Sequence, residues 1–400
     1  MSPRGYRLLW AIILGGTAAR ILAAFLTVGV AYDIESFRLV SDALWGERPL
    51  DLYLDVNAEA VRWPYPPGYF PWILCADKLS DWLGLPFHGV VQVAPIISDA
   101  VLAWVVQAYL GDRGISERRR LVAAGLIALG PSFMFVSGYE GQLDSVALAP
   151  AAVALLVWSR LPSGRRALAA GLLIGLGAAL KTFPFFVVLA LLPRVRDLRE
   201  GAVLVGAAVA VPLVLLSPWL AVEMQATLDA LRYNGLPGLG GLSLLAQPGL
   251  ADYWIRGMPV ELSGLTTTLI EWRAPLTAAG LGAVGVILLR RRPEPATGTL
   301  LVYLGIFVFG LNFGPRYLLW ALPFALMAGW LREAALLQAV TVVAAAMLVA
   351  APFEAGWVPV VFAFIMLSLL VAFAVWLVAL AAGAGSRAPP ERDDRAIVRR

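Results

Sequence analysis

The sequence is poor in the residues that most soluble chemistry relies on. It holds one cysteine, Cys75, and one histidine, His88, in 400 residues. A single thiol forms no intramolecular disulfide and fits no zinc-ligand spacing. A single imidazole excludes His-cluster metal sites and makes a histidine-based triad an unpromising reading. Charged residues make up only 14% of the chain against 60% hydrophobic, whereas soluble domains carry about a quarter charged. No G-x-x-x-x-G-K stretch opens a helix, so a phosphate cradle for a nucleotide has no support. The net charge of +4 comes from arginines set in short clusters between apolar runs. That is how charges orient a membrane protein, and it argues against a nucleic-acid partner.

What the chain does have is a series of apolar runs of roughly the 17–25 residues a helix needs to cross a bilayer. The expected spans are 8–31, 88–110, 121–138, 143–159, 201–220, 274–289, 297–312, 317–331, 334–352 and 357–383. The first is too long for a signal-peptide core of about 7–15 residues and reads as a retained anchor. A further stretch, ALAAGLLIGLGAALKTFPFFVVLALLP, covers 167–193. Arg165 and Arg166 precede it, and Arg194, Arg196 and Arg199 follow it. A single crossing would put arginine clusters on both sides. A hairpin broken at Lys181-Thr182-Phe183-Pro184 keeps them on one side, with arms of about 10–13 residues, each too short to span alone.

The charges beyond position 193 favour the hairpin. It places Arg194, Arg196, Arg199, Arg290, Arg291, Arg292, Arg332 and the arginines of the tail inside, with Arg232, Arg256, Arg273 and Arg316 outside; a single crossing reverses that bias. The expected architecture is therefore an all-α transmembrane helical bundle over 1–385, with about ten spans plus a broken re-entrant hairpin. Residues 386–400 form a cytoplasmic tail, and both termini are cytoplasmic. Inner connections such as GDRGISERRR and RRRPEPATG are short and basic. Two long outer segments, 32–87 and 221–273, each hold a possible interfacial helix, FRLVSDALWG and AVEMQATLDALRY. Long connections of this kind usually carry function, which puts the chemistry on the outer face.

Several outer residues are candidates, each with a plainer reading beside the chemical one. Asp33 and Glu35 follow the first apolar run; they are acids at a helix N-terminus, or a poorly solvated carboxylate able to take a proton from a hydroxyl. On a helix the two diverge by about 200°, and in an extended turn they share a face. In RWPYPPGYFPW, Arg62 and Tyr65 belong to an aromatic belt or line a headgroup or sugar pocket. GYEGQLDS sets Glu140, Gln142 and Asp144 at the depth of Asp33, as a short turn between spans would in any case. Lys181 at the hairpin break lies well inside the bilayer, where a charge costs at least a few kcal/mol unless paired. It either holds a lipid-linked phosphate or pairs with Asp144 or Glu140. In FGPRYLLWALP, Arg316 at the mouth of a span is a second phosphate ligand or a snorkelling arginine, with Tyr317 and Trp320 on the following turn. Arg20 within the first span pairs with a carboxylate or sits in a cavity, and Asn234 lies in the glycine-rich loop RYNGLPGLGG.

Taken in order, the acidic motif after the first span, the Y-x-P-P loop, G-Q-x-D, L-K-x-F-P and the late RYLLWALP resemble the GT-C glycosyltransferases. The pattern, over about residues 8–330, is similar to the catalytic subunit of GPI mannosyltransferase I and to bacterial polyprenol-phosphate-mannose-dependent α-mannosyltransferases. The resemblance implies an inverting transferase that moves a hexose, mannose by likeness, from a polyprenyl-phosphate sugar to a glycolipid or glycan acceptor. A sugar phosphate on a lipid already has a good leaving group, so no nucleotide or metal is strictly required, and no cofactor is expected. It implies Asp33 as the general base. It puts Glu35 at the second acidic position, where many relatives have Asp. Gln142, Asp144, Lys181, Pro184, Arg316 and Tyr317 fall in the later motifs. A histidine that some mycobacterial relatives use near the site has no counterpart, since His88 lies elsewhere. The rival class is a transporter or lipid-linked-sugar flippase. Transporters tend to carry internal repeats and midplane sites, whereas no repeat is evident here and the acids gather in the outer segments.

Overall fold

The structure is a computed structural model, and it describes residues 1–232, 237–349 and 356–383. Among the described residues there are helices and turns and no strand, as lipid requires of a spanning chain that is not a closed barrel. The principal helices are α1 (Pro3–Leu26), α2 (Ala31–Trp45), α3 (Phe70–Leu83), α4 (Phe87–Asp112) and α5 (Glu117–Glu140). They continue with α6 (Asp144–Arg160), α7 (Ser163–Leu180), α8 (Phe183–Arg194), α9 (Leu198–Val222) and α10 (Met224–Leu231). The last four are α11 (Arg273–Arg291), α12 (Pro295–Phe309), α13 (Leu331–Val349) and α14 (Val358–Ala381).

Seven of these, α1, α4, α5, α9, α11, α13 and α14, are long and apolar enough to cross a bilayer. The others expected to span are shorter: α6 has 17 residues and α12 has 15. The run expected at 317–331 is not one helix. It is a 3₁₀ turn over Pro315–Trp320 followed by a helix over Leu322–Met327, because Pro315 and Pro323 lack amides and each restarts the chain. More than half of α4 and of α5 is buried, whereas fewer than a quarter of the residues in the apolar stretches of α9 and α11 are. The core is thus built around α4, α5, α6 and α7.

The stretch around Lys181 is a hairpin whose ends meet on one side. Near the start of α7, Arg166 donates to the carbonyl of Arg194 at 3.1 Å and pairs with Glu200 of α9 at 2.8 Å. The arms are not the two short halves expected. α7 has 18 residues, about 27 Å of helix at 1.5 Å per residue, because it starts within the arginine loop at Ser163. Lys181 therefore stands a full helix length from that loop, level with the start of α6, and not halfway into the bundle. The returning arm is drawn out by 3₁₀ turns at Phe183–Phe186 and Leu192–Arg194. α7 lies tight against its neighbours through small residues. A Cβ on Gly171 would stand 2.5 Å from the carbonyl of Leu204, and one on Gly177 2.6 Å from that of Ala147, a close approach typical of membrane helices.

Charged residues close the opposite, arginine-rich end, where Arg160 pairs with Asp112 at 2.7 Å and Arg113 with Glu294. The two long segments lie at the Lys181 end. The expected interfacial helices are there, FRLVSDALW as most of α2 and MQATLDAL as α10.

Candidate active site

Six chain segments converge at the end of the bundle that carries the long loops. α2 begins at Ala31 and brings Asp33 in its first turn. The last five residues of α5, Val136–Glu140, widen into a π turn that ends at Gly141 with φ +76°, a left-handed conformation that suits glycine. That turn delivers Glu140, and the short connection after it delivers Gln142 and Asp144. The break between α7 and α8 presents Lys181, the proline-rich loop presents Arg62 and Tyr65, and the turn at 315–320 presents Arg316, Tyr317 and Trp320. Gly68 lets the proline-rich loop in: a Cβ there would stand 2.5 Å from the carbonyl of Ala179, two residues before Lys181.

Two cations and three carboxylates are interleaved. Lys181 Nζ donates to both oxygens of Asp144 at 2.9 Å, and the Asp144 side chain is wholly buried. Trp320 Nε1 donates to the same carboxylate at 2.6 Å. The ammonium lies 4.8 Å from the centre of the Tyr65 ring and 5.6 Å from that of Tyr317, near enough for cation–π attraction. Arg316 Nη1 is shared: it stands 2.9 Å from Glu140 and 3.4 Å from Asp33. Below the cations, Trp320 stacks on Phe183 at 4.0 Å and on Tyr317 at 4.6 Å. Burial pushes the Tyr65 phenol up to about 12, against the opposing pull of Lys181 and Arg316, so it stays neutral at neutral pH.

Helix geometry separates Asp33 from Glu35. Asp33 turns inward to Arg316 with its side chain 17% exposed, while Glu35 is 60% exposed and pairs with Arg62 at 3.1 Å. The Arg62 guanidinium lies 4.0 Å over the ring of Tyr32, so Arg62 and Glu35 form a rim outside the cluster. Tyr65, Asp144, Lys181, Arg316 and Tyr317 stand together with Asp33. Gln142 is buried beside them, its Oε1 without a protein partner. Asn234 lies outside the described residues.

Glu140 and Trp320 are the members that the motif reading did not select. The signal for Glu140 was its place in the turn with Gln142 and Asp144, and for Trp320 its helical spacing from Arg316. Glu140 and Arg316 border a cavity of about 190 Å³, whose other walls include Phe135, Leu239, Trp254 and Leu348. It is charged at one end and apolar elsewhere. A larger groove of about 490 Å³ between α1 and α5 includes Leu8, Ile12 and Arg118, at the arginine-rich end and away from the cluster. Among the described residues no group of three His, Cys, Asp or Glu is placed to hold a metal ion. The arrangement can do two things chemically. Asp33 is a carboxylate reachable by a hydroxyl, and Arg316 is a cation that an incoming anion can draw away from its acids.

A sequence model described as glycosyltransferase family 87 matches residues 63–315. The match includes Tyr65, Glu140, Asp144 and Lys181 and stops short of Asp33 and Arg316. No curated protein matches the chain. Among solved structures, it is similar to the archaeal oligosaccharyltransferase AglB from Archaeoglobus fulgidus in complex with an inhibitory peptide and a dolichol-phosphate. The TM-score is 0.38 and the identity 14%, over 98% of this chain and 57% of that one. The chain thus spans little more than half the length of that protein.

Proposed function

The chain belongs to glycosyltransferase family 87, and from that membership we propose that it moves a hexose, mannose first, from a polyprenyl-phosphate sugar to a glycolipid or glycan acceptor. The transfer takes place on the outer face of the membrane, with both termini in the cytoplasm, and inverts the anomeric centre. The observation that carries the reading is the sharing of Arg316 between Asp33 and Glu140 at the charged end of the cavity. One cation that can hold a phosphate stands against the carboxylate best placed to take a proton.

The steps follow from the residues. The donor phosphate engages Arg316, whose side chain is 27% exposed against 6% for Lys181. That contact competes with Asp33 for the guanidinium, and the weaker 3.4 Å pair gives way before the 2.9 Å pair with Glu140. Asp33, released, accepts the proton of the acceptor hydroxyl. The acceptor oxygen bonds to the anomeric carbon, the bond from that carbon to the phosphate oxygen breaks, and its electron pair leaves with the polyprenyl phosphate. Arg316 directly, and Lys181 from beneath through its field, stabilise the departing charge. Arg62 and Glu35 stand at the rim, where the acceptor approaches. The arginine-rich opposite end supports the orientation.

Protein purified in lipid nanodiscs and supplied with radiolabelled polyprenyl-phosphate-mannose and a membrane lipid extract tests the reading. Wild type is expected to form a labelled product, and Asp33→Asn to lose about 10²–10⁴-fold in rate, the usual share of a general base. Wild-type rates in the Asp33→Asn protein refute Asp33 as the base. Donor flux across vesicles without any covalent product makes the protein a transporter.

A further inference from the structure

A second buried ion pair lies within the helix bundle, behind the turn that carries Glu140 and Asp144. Arg20 of α1 places Nε 2.9 Å from Oδ2 of Asp99 on α4, and both side chains are 1% exposed. The rest of the guanidinium is spent on backbone. Nη2 donates to the carbonyl of Ile127 at 2.8 Å, and Nη1 donates to those of Gly16, at 3.0 Å, and Ala128. Ile127 is four residues before Pro131, which has no amide to return to it. Arg20 thus takes up the carbonyls of Ile127 and Ala128 beside this proline, the first of which also accepts from the Gly130 amide at 3.4 Å.

The other oxygen of Asp99 faces the candidate site's scaffold. Oδ1 accepts from Ser145 Oγ at 2.5 Å, and that hydroxyl lies 3.2 Å from Ser137 Oγ. Ser145 is the residue after Asp144, and Ser137 lies in the π turn that ends in Glu140. A Cβ on Gly138, between Ser137 and Glu140, would stand 3.1 Å from the Cβ and Cγ of Arg20. Ser145, next to Asp144, therefore rests on the pair through one hydrogen bond, and Ser137, three residues before Glu140, through a second.

We infer that Arg20 and Asp99, acting through Ser145 and Ser137, are positioning residues for sugar transfer, setting where Asp144 and Glu140 hold the two cations. This rests on the function proposed above. A buried ion pair is a costly way to join two helices, and apolar residues of similar volume do so as well or better. A hydrogen bond, by contrast, fixes direction, and the one Asp99 accepts from Ser145 is directed at the residue next to Asp144. Charged side chains within spanning segments are functional by default, and none of these four borders the cavity, so their effect passes through the turn.

Ser145→Ala tests the inference, since it cuts the link and leaves Arg20 paired with Asp99. Steady-state transfer from radiolabelled polyprenyl-phosphate-mannose, with donor and acceptor varied separately, is expected to show a donor KM raised about fivefold and kcat lowered about tenfold. The acceptor KM is expected to stay at wild type. Ser145→Thr, which keeps the hydroxyl, is expected to restore both donor parameters. A purely structural role would lower the active fraction and leave both KM values unchanged, so that result overturns the inference, as does wild-type kinetics in Ser145→Ala. Hydrogen exchange over 137–145 reads the same link without turnover, and unchanged exchange in Ser145→Ala also refutes it. Failure of the wild-type protein to transfer sugar is a different result, which refutes the functional reading beneath it.

Discussion

Removing the Lys181 ammonium strands a carboxylate. Asp144 is wholly buried, and both its oxygens accept from Lys181 at 2.9 Å. Lys181→Met keeps an unbranched apolar stem and deletes the ammonium. Breaking one side of a buried pair costs about 3–5 kcal/mol, because the remaining ion has neither solvent nor partner. The Trp320 indole still donates to Asp144 at 2.6 Å, which argues for the lower half of that range. At about 2–4 °C per kcal/mol for a large domain, the apparent unfolding temperature should fall by roughly 6–16 °C. The double variant Lys181→Met/Asp144→Asn replaces the ion pair with neutral groups and should regain most of that loss. On the proposed mechanism it should not regain transfer, since Lys181 would no longer stand beneath the departing phosphate. The assay is thermal unfolding of each variant in one detergent, scanned at one rate, beside sugar transfer. If the single variant unfolds at the wild-type temperature, or the double variant falls as far as the single, Asp144 is not left uncompensated and the pair does not support the site as argued.

Two smaller effects follow from the rim and the aromatic wall. Glu35→Gln should slow transfer less than about fivefold, because an ion pair this exposed is worth about 0–1 kcal/mol; a loss matching that of Asp33→Asn would mean that both acids act in the reaction. The raised Tyr65 phenol, at about 12, stays protonated throughout neutral pH. Tyr65→Phe should therefore leave the shape of the pH–rate profile between pH 6 and 9 unchanged, and a new or missing ionisation in that window would refute Tyr65 as a neutral group.

How much of this was legible in the sequence depended on how local each cause was. Hydrophobic runs show where the chain can cross lipid because a spanning backbone must satisfy its own polar groups segment by segment. The hairpin followed from arginines on both of its flanks, and Arg166 on the carbonyl of Arg194 closes it. Its arm lengths did not follow, since hydropathy discounts the first helical turn of Ser163-Gly164-Arg165-Arg166, which the helix nonetheless includes. The run at 317–331 misled for the opposite reason: it is apolar enough for a span, but Pro315 and Pro323 set its backbone.

The site divides along the same line. Which residues could act was readable from type and place, but which would meet was not. The two readings of Asp33 and Glu35 turned on whether the backbone there is helical, and a helix beginning at Ala31 sends one acid inward and the other out. Arg316 meets Glu140 across 176 positions of chain, a contact that no local pattern encodes. The Arg20–Asp99 pair left a fainter mark, a lone arginine in one apolar run and a lone aspartate in VAPIISDAVLAW. Each is costly alone in lipid and tolerable together, so each predicts the other. An unexplained charge in a spanning helix is therefore a constraint on tertiary structure. Here it ties α1 to α4 and, through Ser145, to the turn on which both cations of the candidate site depend.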